Sequence, residues 1–385
     1  MIREIRIENY KSIQKLKLSL GRVTVFIGEN GCGKSNILEA IALASAAANN
    51  KLDNEFLFSR GIRVANSQFM RSAFEQENLV KEIKIYLKGN DETAFDCILQ
   101  HDNQPYSNWY DKGHKHIGKI QEVLSDLEKK IKKNELDGEE EISLPISLEL
   151  IIKQIKQLNI LKQLNIQSFL IYSPETSSLR TFEKEGQIQP LGINGEGLFK
   201  LLKFLNLDEN QDKIHDIKEK LKLIDWFQDF EMPHGLAEIE KNVQIKDKYL
   251  DSEIPYFDQR SSNEGFLFLM FYFALFISDE TPNFFAIDNI DASLNPKLCS
   301  QLIQELVKLA EKYDKQAIFT THNPAVLDGL NLDDDEQRLL VIYRNKLGHT
   351  KAKRILKPEP LEGQKPVKLS EAFMRGYIGG LPKGF

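Results

Sequence analysis

The sequence predicts an α/β fold, a mixed sheet with flanking helices, and two widely separated stretches carry that prediction. In the first, the apolar run Val23–Ile27 reads as a buried strand, Gly28–Ser35 as a glycine-rich loop and Asn36–Ala44 as a helix. In the second, Asn283–Ile287 reads as an apolar strand that ends at a carboxylate, Asp288. The loop has the pattern G-x-x-x-x-G-K-S, Gly28-Glu29-Asn30-Gly31-Cys32-Gly33-Lys34-Ser35. Such a loop between strand and helix closes its backbone N–H groups around phosphate oxygens, and the helix N-terminus adds favourable partial charge. Lys34 is then expected to reach the β- and γ-phosphates and the Ser35 hydroxyl to ligate Mg²⁺, with Asp288 orienting the same ion.

Composition narrows the class. The 385 residues hold enough apolar material for a large core and suggest two or three lobes. A formal net charge of −6, with 28% charged residues, argues against a surface that is basic throughout and leaves room for a local basic groove. Cys32, Cys97 and Cys299 lie far apart and form no disulfide framework, which predicts a reducing, cytoplasmic setting and no metal site built from Cys and His. Met1–Leu20 alternates apolar and charged residues, unlike a signal peptide. The most hydrophobic run, Phe266–Ile277, has 12 residues, too few to span a bilayer, so a buried helix is predicted and no membrane partner.

Along the chain, Ile2–Ile7 and Lys15–Leu18 read as strands. Ile83–Leu87 and Phe95–Leu99, joined through Gly89-Asn90-Asp91, read as a hairpin. Ile120, Val123, Leu124, Leu127 and Ile131 fall at helical spacing, and Ile151, Ile152, Ile155, Leu158 and Leu161 do so again. Between them lies the polar break 137–141, so a helical or coiled-coil insertion is expected at 119–165, dividing a head of 1–118 and 166–385. Its run Lys129–Lys133 reads as a solvated face before it reads as a nucleic-acid contact. Ser168–Tyr172 reads as a strand, Gly192–Gly197 as a glycine turn opening a helix at Leu198, and 203–249 as mostly helical. The run Asp333–Glu336 reads as a polar loop, since no second carboxylate cluster accompanies it.

Four further segments give the chain a family likeness. Asp288-Asn289-Ile290-Asp291-Ala292-Ser293-Leu294-Asn295-Pro296 resembles the D-E-x-D-x-x-L-D run of structural-maintenance-of-chromosomes (SMC) ATPases and the D-E-x-E-x-x-L-H-P run of overcoming-lysogenization-defect (OLD) and RecF-like ATPases. Phe319-Thr320-Thr321-His322 is similar to their switch-histidine strand. Ser261-Ser262-Asn263-Glu264-Gly265 sits where their signature motif precedes a hydrophobic helix. Asn9-Tyr10-Lys11-Ser12 is similar to their N-F-K-S opening, and Asn30 within the loop favours this branch over transporter ATPases.

The resemblance implies an ABC-type P-loop ATPase head that uses ATP and Mg²⁺ and closes around nucleotide as a head-to-tail pair or a higher oligomer of such pairs. Asn30, Gly31, Cys32, Gly33, Lys34 and Ser35, with Lys11 and Ser12, would contact ATP, and Ser35 and Asp288 would hold the metal. Ser262, Asn263 and Gly265 would reach the partner's γ-phosphate, with Ser261 as the alternative register. His322 would sense γ-phosphate. One departure bears on catalysis: the family's catalytic Glu is here Asn289, and an amide orients water without accepting its proton. Hydrolysis is therefore expected to be slow unless Asp291 substitutes. Asn295 likewise replaces the family's carboxylate or His.

Only 63 residues follow His322, too few for the nuclease domain that many OLD-like proteins carry. This resembles the stand-alone ATPases of two-gene anti-phage systems such as PARIS, Septu and retron-linked relatives. The resemblance implies a sensor and scaffold for a separate effector protein encoded nearby, a nuclease or toxin. The alternative is a RecF-like repair ATPase that clamps DNA.

Overall fold

The computed structural model describes residues 1–91, 93–113, 148–232, 243–357 and 367–381. Three sheets account for its strands. β1 (Ile2–Tyr10) and β2 (Ile13–Ser19) pair antiparallel, and β4 (Ile83–Gly89), β5 (Ala94–Gln100) and β6 (Tyr110–Asp111) extend them in the order β2-β1-β4-β5-β6. The predicted hairpin is therefore present as β4–β5. The central sheet contains β3 (Val23–Ile27), β7 (Ile171–Tyr172), β11 (Phe284–Ile287), β12 (Gln316–Thr321), β13 (Gln337–Arg344) and β14 (Thr350–Ile355). Its order is β14-β13-β3-β12-β11-β7, parallel throughout except for the β13–β14 pair.

Helix α1 (Lys34–Ala48) lies between the antiparallel sheet and the central sheet, and both cover it. Its sequence explains how it survives burial on nearly every face. Ala40, Ala42, Ala44, Ala46 and Ala47 give strong helix propensity and little bulk, so two sheets can approach it closely. Helix α2 (Asn54–Ser59) follows, capped by the Asp53 carboxylate accepting from the Phe56 N–H. Of the expected insertion, residues 119–147 lie outside the described residues. Helix α3 (Leu148–Leu164) is described, and its Leu161 and Leu164 bury against the antiparallel sheet.

On the other face of the central sheet pack α4 (Leu198–Leu205), α5 (Gln211–Leu221), α6 (Glu264–Ile277) and α7 (Pro296–Lys312). Helix α6 is the predicted hydrophobic run, and every residue from Phe266 to Ile277 is buried. Phe276 sets its ring 5.1 Å from that of Phe285 in β11 and 6.2 Å from that of Phe319 in β12, tying the helix to the two strands that carry Asp288 and His322. Lys315, itself fully buried, donates to the carbonyls of Ser278 and Thr281 and fastens the end of α6 to the start of β12.

The expectation of mostly helix over 203–249 is corrected. After α5 the chain forms β8 (Phe227–Glu231) and β9 (Gln244–Asp247), which join β10 (Tyr256–Asp258) in an antiparallel sheet. Phe227, Phe230 and Ile245 form its buried face, and the Phe227 ring lies 5.4 Å from that of Phe266 on α6. Strands this short offer too few alternations to outweigh their charged surroundings in sequence.

No helix among the described residues is long and apolar enough to cross a membrane. Phe276→Ala is expected to destabilise the protein by about 3–5 kcal/mol, through lost burial and an unfilled cavity. Chemical denaturation followed by circular dichroism measures it.

Candidate functional site

The parallel strands β3, β12 and β11 end side by side, and each delivers one functional segment there. Crevices at the carboxyl ends of parallel strands are where α/β sheets bind ligands. β3 runs into the glycine loop, β11 into Asp288, and β12 into His322. A hollow of about 450 Å³ forms between them, lined by Asn30, Gly31, Gly33, Lys34, Ser35, Asn36, Asp288, Asn289 and His322, and by two arginines, Arg63 and Arg344.

Glycine is required where the loop approaches other chain segments. Gly33 has φ +109, and a Cβ there would stand 2.2 Å from the Thr350 hydroxyl and 2.9 Å from that of Ser12. Those hydroxyls brace the loop from behind. Ser12 and Thr350 share a hydrogen bond of 2.7 Å, the Thr350 hydroxyl donates to the Cys32 carbonyl, and the Asn36 amide donates to Ser12. Ser12 thus stands behind the phosphate loop and outside the hollow's lining, as does the buried Cys32.

The two residues expected from sequence to hold a metal lie side by side. The Ser35 hydroxyl donates to Asp288 Oδ2 at 3.0 Å, and the Thr320 hydroxyl donates to Asp288 Oδ1 while accepting the Asn289 N–H at 2.9 Å. A hydroxyl and one carboxylate suit Mg²⁺, which takes its remaining oxygens from phosphates and water. Among the described residues no group of three or more His, Cys, Asp or Glu side chains stands ready to hold a metal without such help. Lys34 Nζ donates to the carbonyls of Gly28, at 2.9 Å, and Glu29, at 3.2 Å. Burial lowers its pKa, and Asp288 and Asp291 act in the opposite direction. The His322 pKa is also lowered, by burial and then by Lys34, which favours the neutral imidazole. Asp291 accepts from the Thr321 hydroxyl at 2.6 Å, directly before the histidine. Asn289 has φ +58, a left-handed conformation that asparagine tolerates better than most residues.

Arg63, Arg344 and Glu39 escaped the sequence reading. Arg344 donates to the Gly31 carbonyl at 2.8 Å. Arg63 donates through Nε to Glu39 Oε1 at 2.5 Å and through Nη2 to Asn36 Oδ1 at 3.2 Å. Glu39 is buried on α1 and also accepts from Lys11 Nζ. Lys11 therefore meets the site through Glu39, not through the hollow. The one available signal was an acidic residue four places after Ser35 within an apolar helix.

The signature segment lies elsewhere. Asn263 caps α6, its Oδ1 accepting the Phe266 N–H at 2.9 Å, and Asn263, Glu264 and Gly265 line a separate hollow with Ser293 and Asn295. Ser262 is buried, Ser261 and Asn263 are exposed and Gly265 is half-exposed, with the Ser261 hydroxyl donating to Asp258 Oδ1 at 3.1 Å. Asn295 caps α7 by accepting the Leu298 N–H at 3.0 Å.

Glu39→Gln is expected to cost about 3 kcal/mol of stability, because it leaves the Lys11 ammonium beside a neutral group in a largely dry setting. Urea unfolding of the two proteins measures it.

Comparison with known proteins agrees with this geometry. The protein family described as "AAA domain, putative AbiEii toxin, Type IV TA system" matches residues 23–328. An uncharacterized protein of Methanocaldococcus jannaschii, MJECL10, is 32% identical over 114 residues, covering 28% of this chain and 50% of that protein. The DNA replication and repair protein RecF of Bacillus thuringiensis is 42% identical over 55 residues, covering 14% of this chain and 15% of RecF. The chain thus spans half or less of the length of these curated relatives. Among solved structures, an SMC head bound to the C-terminal winged-helix domain of ScpA superposes with a TM-score of 0.57. That superposition covers 92% of this chain and 98% of the SMC chain at 14% identity, a likeness of fold. The chain belongs to this AAA-domain family, and its fold is that of an ABC-type P-loop ATPase head.

Proposed function

We propose that the protein is a Mg²⁺–ATP-dependent clamp, two copies of which close head to tail around nucleotide and control a separate effector protein. The observation that carries the nucleotide reading is the 3.0 Å contact between the Ser35 hydroxyl and Asp288, which brings the two halves of a Mg²⁺–phosphate site together. Loop amides and Lys34 would bind the phosphates, Ser35 and Asp288 would hold the metal, and Arg63 and Arg344 would add positive charge at the rim. The metal supplies charge neutralisation for the phosphates.

Head-to-tail closure is supported by the separation of the two hollows. Asn263 and Gly265 line one, Lys34 and Asp288 the other, so the signature edge faces a nucleotide only if a second copy presents one. Asn263, which caps the helix, and Gly265 are candidates for that contact, with the exposed Ser261 beside them as the alternative. An effector under this clamp's control is in keeping with the family's description as a toxin-related domain. The RecF likeness favours a second reading, a clamp on DNA. Co-purification with a neighbouring gene's product supports the first, and ATP-dependent DNA binding by the isolated protein supports the second.

Turnover is expected to be slow. Asn289 stands where a general base would receive the proton of the attacking water, and such a base contributes about 10²–10⁴-fold. Asn289→Glu should raise steady-state phosphate release, whereas Lys34→Ala should abolish binding of a fluorescent ATP analogue. Wild-type affinity in Lys34→Ala would remove the site assignment. Brisk wild-type hydrolysis that falls in Asn289→Glu would make the amide the working water-positioner. A severe loss in Asp291→Asn would place the base at Asp291.

A further inference from the structure

The segment 369–381 packs on the phosphate loop and bonds to the turn beyond His322, although no motif in it points there. It begins with α8 (Leu369–Met374), which buries Ala372 and Phe373. At the start of α8, the Ser370 N–H and hydroxyl both donate to the Asp328 carboxylate, at 2.9 and 2.7 Å. Asp328 belongs to the short helical turn Pro324–Gly329, which begins two residues after His322, so the chain beyond the histidine is anchored to α8. At its other end the segment turns on three glycines of positive φ, Gly376, Gly379 and Gly380. The first ends the helix, with the Tyr377 N–H returning to the Ala372 carbonyl at 2.9 Å. Ile378 buries into the core, and the chain then lies over the point where β3 becomes the phosphate loop.

That last contact is close. A Cβ on Gly380 would stand 2.9 Å from Val341 Cγ1, 3.2 Å from the Phe373 ring and 3.7 Å from Gly28 Cα. Val341 is the β13 residue paired with Ile27, which immediately precedes the loop. Gly380 has φ +88, so both its conformation and its surroundings demand glycine. One short segment therefore bonds to the element behind the switch histidine and packs on the first glycine of the phosphate loop.

We propose that residues 369–381 form a positioning clamp that holds the phosphate loop and the histidine segment in register, so that nucleotide bound at Gly28–Ser35 is felt along this segment. The inference rests on the nucleotide reading above. Neither Ser370 nor Gly380 touches nucleotide; each acts through a neighbour, Ser370 through Asp328 and His322, Gly380 through Gly28. Arg375, exposed between the two anchors, gives a protease a cleavage point that reports the clamp's state.

The test uses the full chain and three readouts. Affinity for a fluorescent ATP analogue and steady-state phosphate release are measured for wild type, Gly380→Val and Ser370→Ala, with thermal melting as the control on folding. Tryptic cleavage after Arg375 is timed with and without Mg²⁺ and a non-hydrolysable ATP analogue. Displacement of a site loop from a distance is worth on the order of tenfold to a hundredfold. Gly380→Val should therefore weaken nucleotide binding by at least about tenfold at a temperature where thermal melting shows the variant folded. Ser370→Ala should lower turnover more than affinity. Nucleotide should slow cleavage at Arg375 in wild type and leave it unchanged in Lys34→Ala. If both variants fold and keep wild-type affinity and turnover, the clamp is refuted. Where Gly380→Val does not fold, Ser370→Ala and the proteolysis decide, and nucleotide-insensitive cleavage in a wild-type protein that binds the analogue refutes the clamp equally. Absence of binding by wild type would instead overturn the nucleotide reading itself.

Discussion

The contact on which the rest of the structure depends joins Ser35 to Asp288 across 253 residues of sequence. It exists only because β3, β12 and β11 lie parallel, in a register that ends them at one level. That register follows from burial. β3, β11 and β12 are buried at every residue, as strands covered on both faces must be, and slipping one of them would misplace each apolar residue against α1 or α6. Two differently built helices cover the faces. Alanine-rich α1 fills a thin layer between two sheets, and phenylalanine-rich α6 fills a deep one.

The same geometry sets the electrostatics. Asp288 accepts from two hydroxyls, Ser35 and Thr320, which hold its carboxylate in one orientation. Lys34 is bonded to loop carbonyls, and the swing of one flexible side chain would bring it to a phosphate. Around this core, positive charge comes from elements far apart in sequence. Arg63 is steadied by Glu39 on α1, and Arg344 by the Gly31 carbonyl. Preorganisation of this kind concentrates positive charge where phosphates would sit, with Arg63 held by a carboxylate and Arg344 and Lys34 by backbone carbonyls.

What was legible in the sequence follows from how local each signal is. The loop, α6 and the strand before Asp288 are contiguous patterns, and the structure has all three where the patterns lie. The small sheet β8–β10 was hidden because its strands run three to five residues, and Phe227, Phe230 and Ile245 read equally well as a helical stripe. Arg63 and Arg344 were hidden for a different reason. A lone arginine in a loop or at a strand end has no periodicity, and only folding shows which hollow it enters. Lys11 and Ser12 were read as nucleotide contacts from a motif, yet one reaches Glu39 and the other braces Gly33 from behind. The motif located them near the site and could not say on which side of the loop they stand. In the signature segment, only the position of the helix start shows that Asn263, and not a neighbouring serine, is the cap.

The central claim is that one chain carries two half-sites, which a second chain completes through ATP. Light scattering with a non-hydrolysable ATP analogue and Mg²⁺ tests it most directly, with Gly265→Asp as the comparison. An aspartate at Gly265 would add a carboxylate and bulk at the edge that must approach γ-phosphate, its Cβ standing 3.2 Å from the Ser293 carbonyl oxygen. The account predicts that nucleotide doubles the wild-type mass and leaves the variant unchanged, while both bind the analogue with similar affinity. A wild-type protein that binds nucleotide with no change in mass, or a variant that associates as well as wild type, would contradict it.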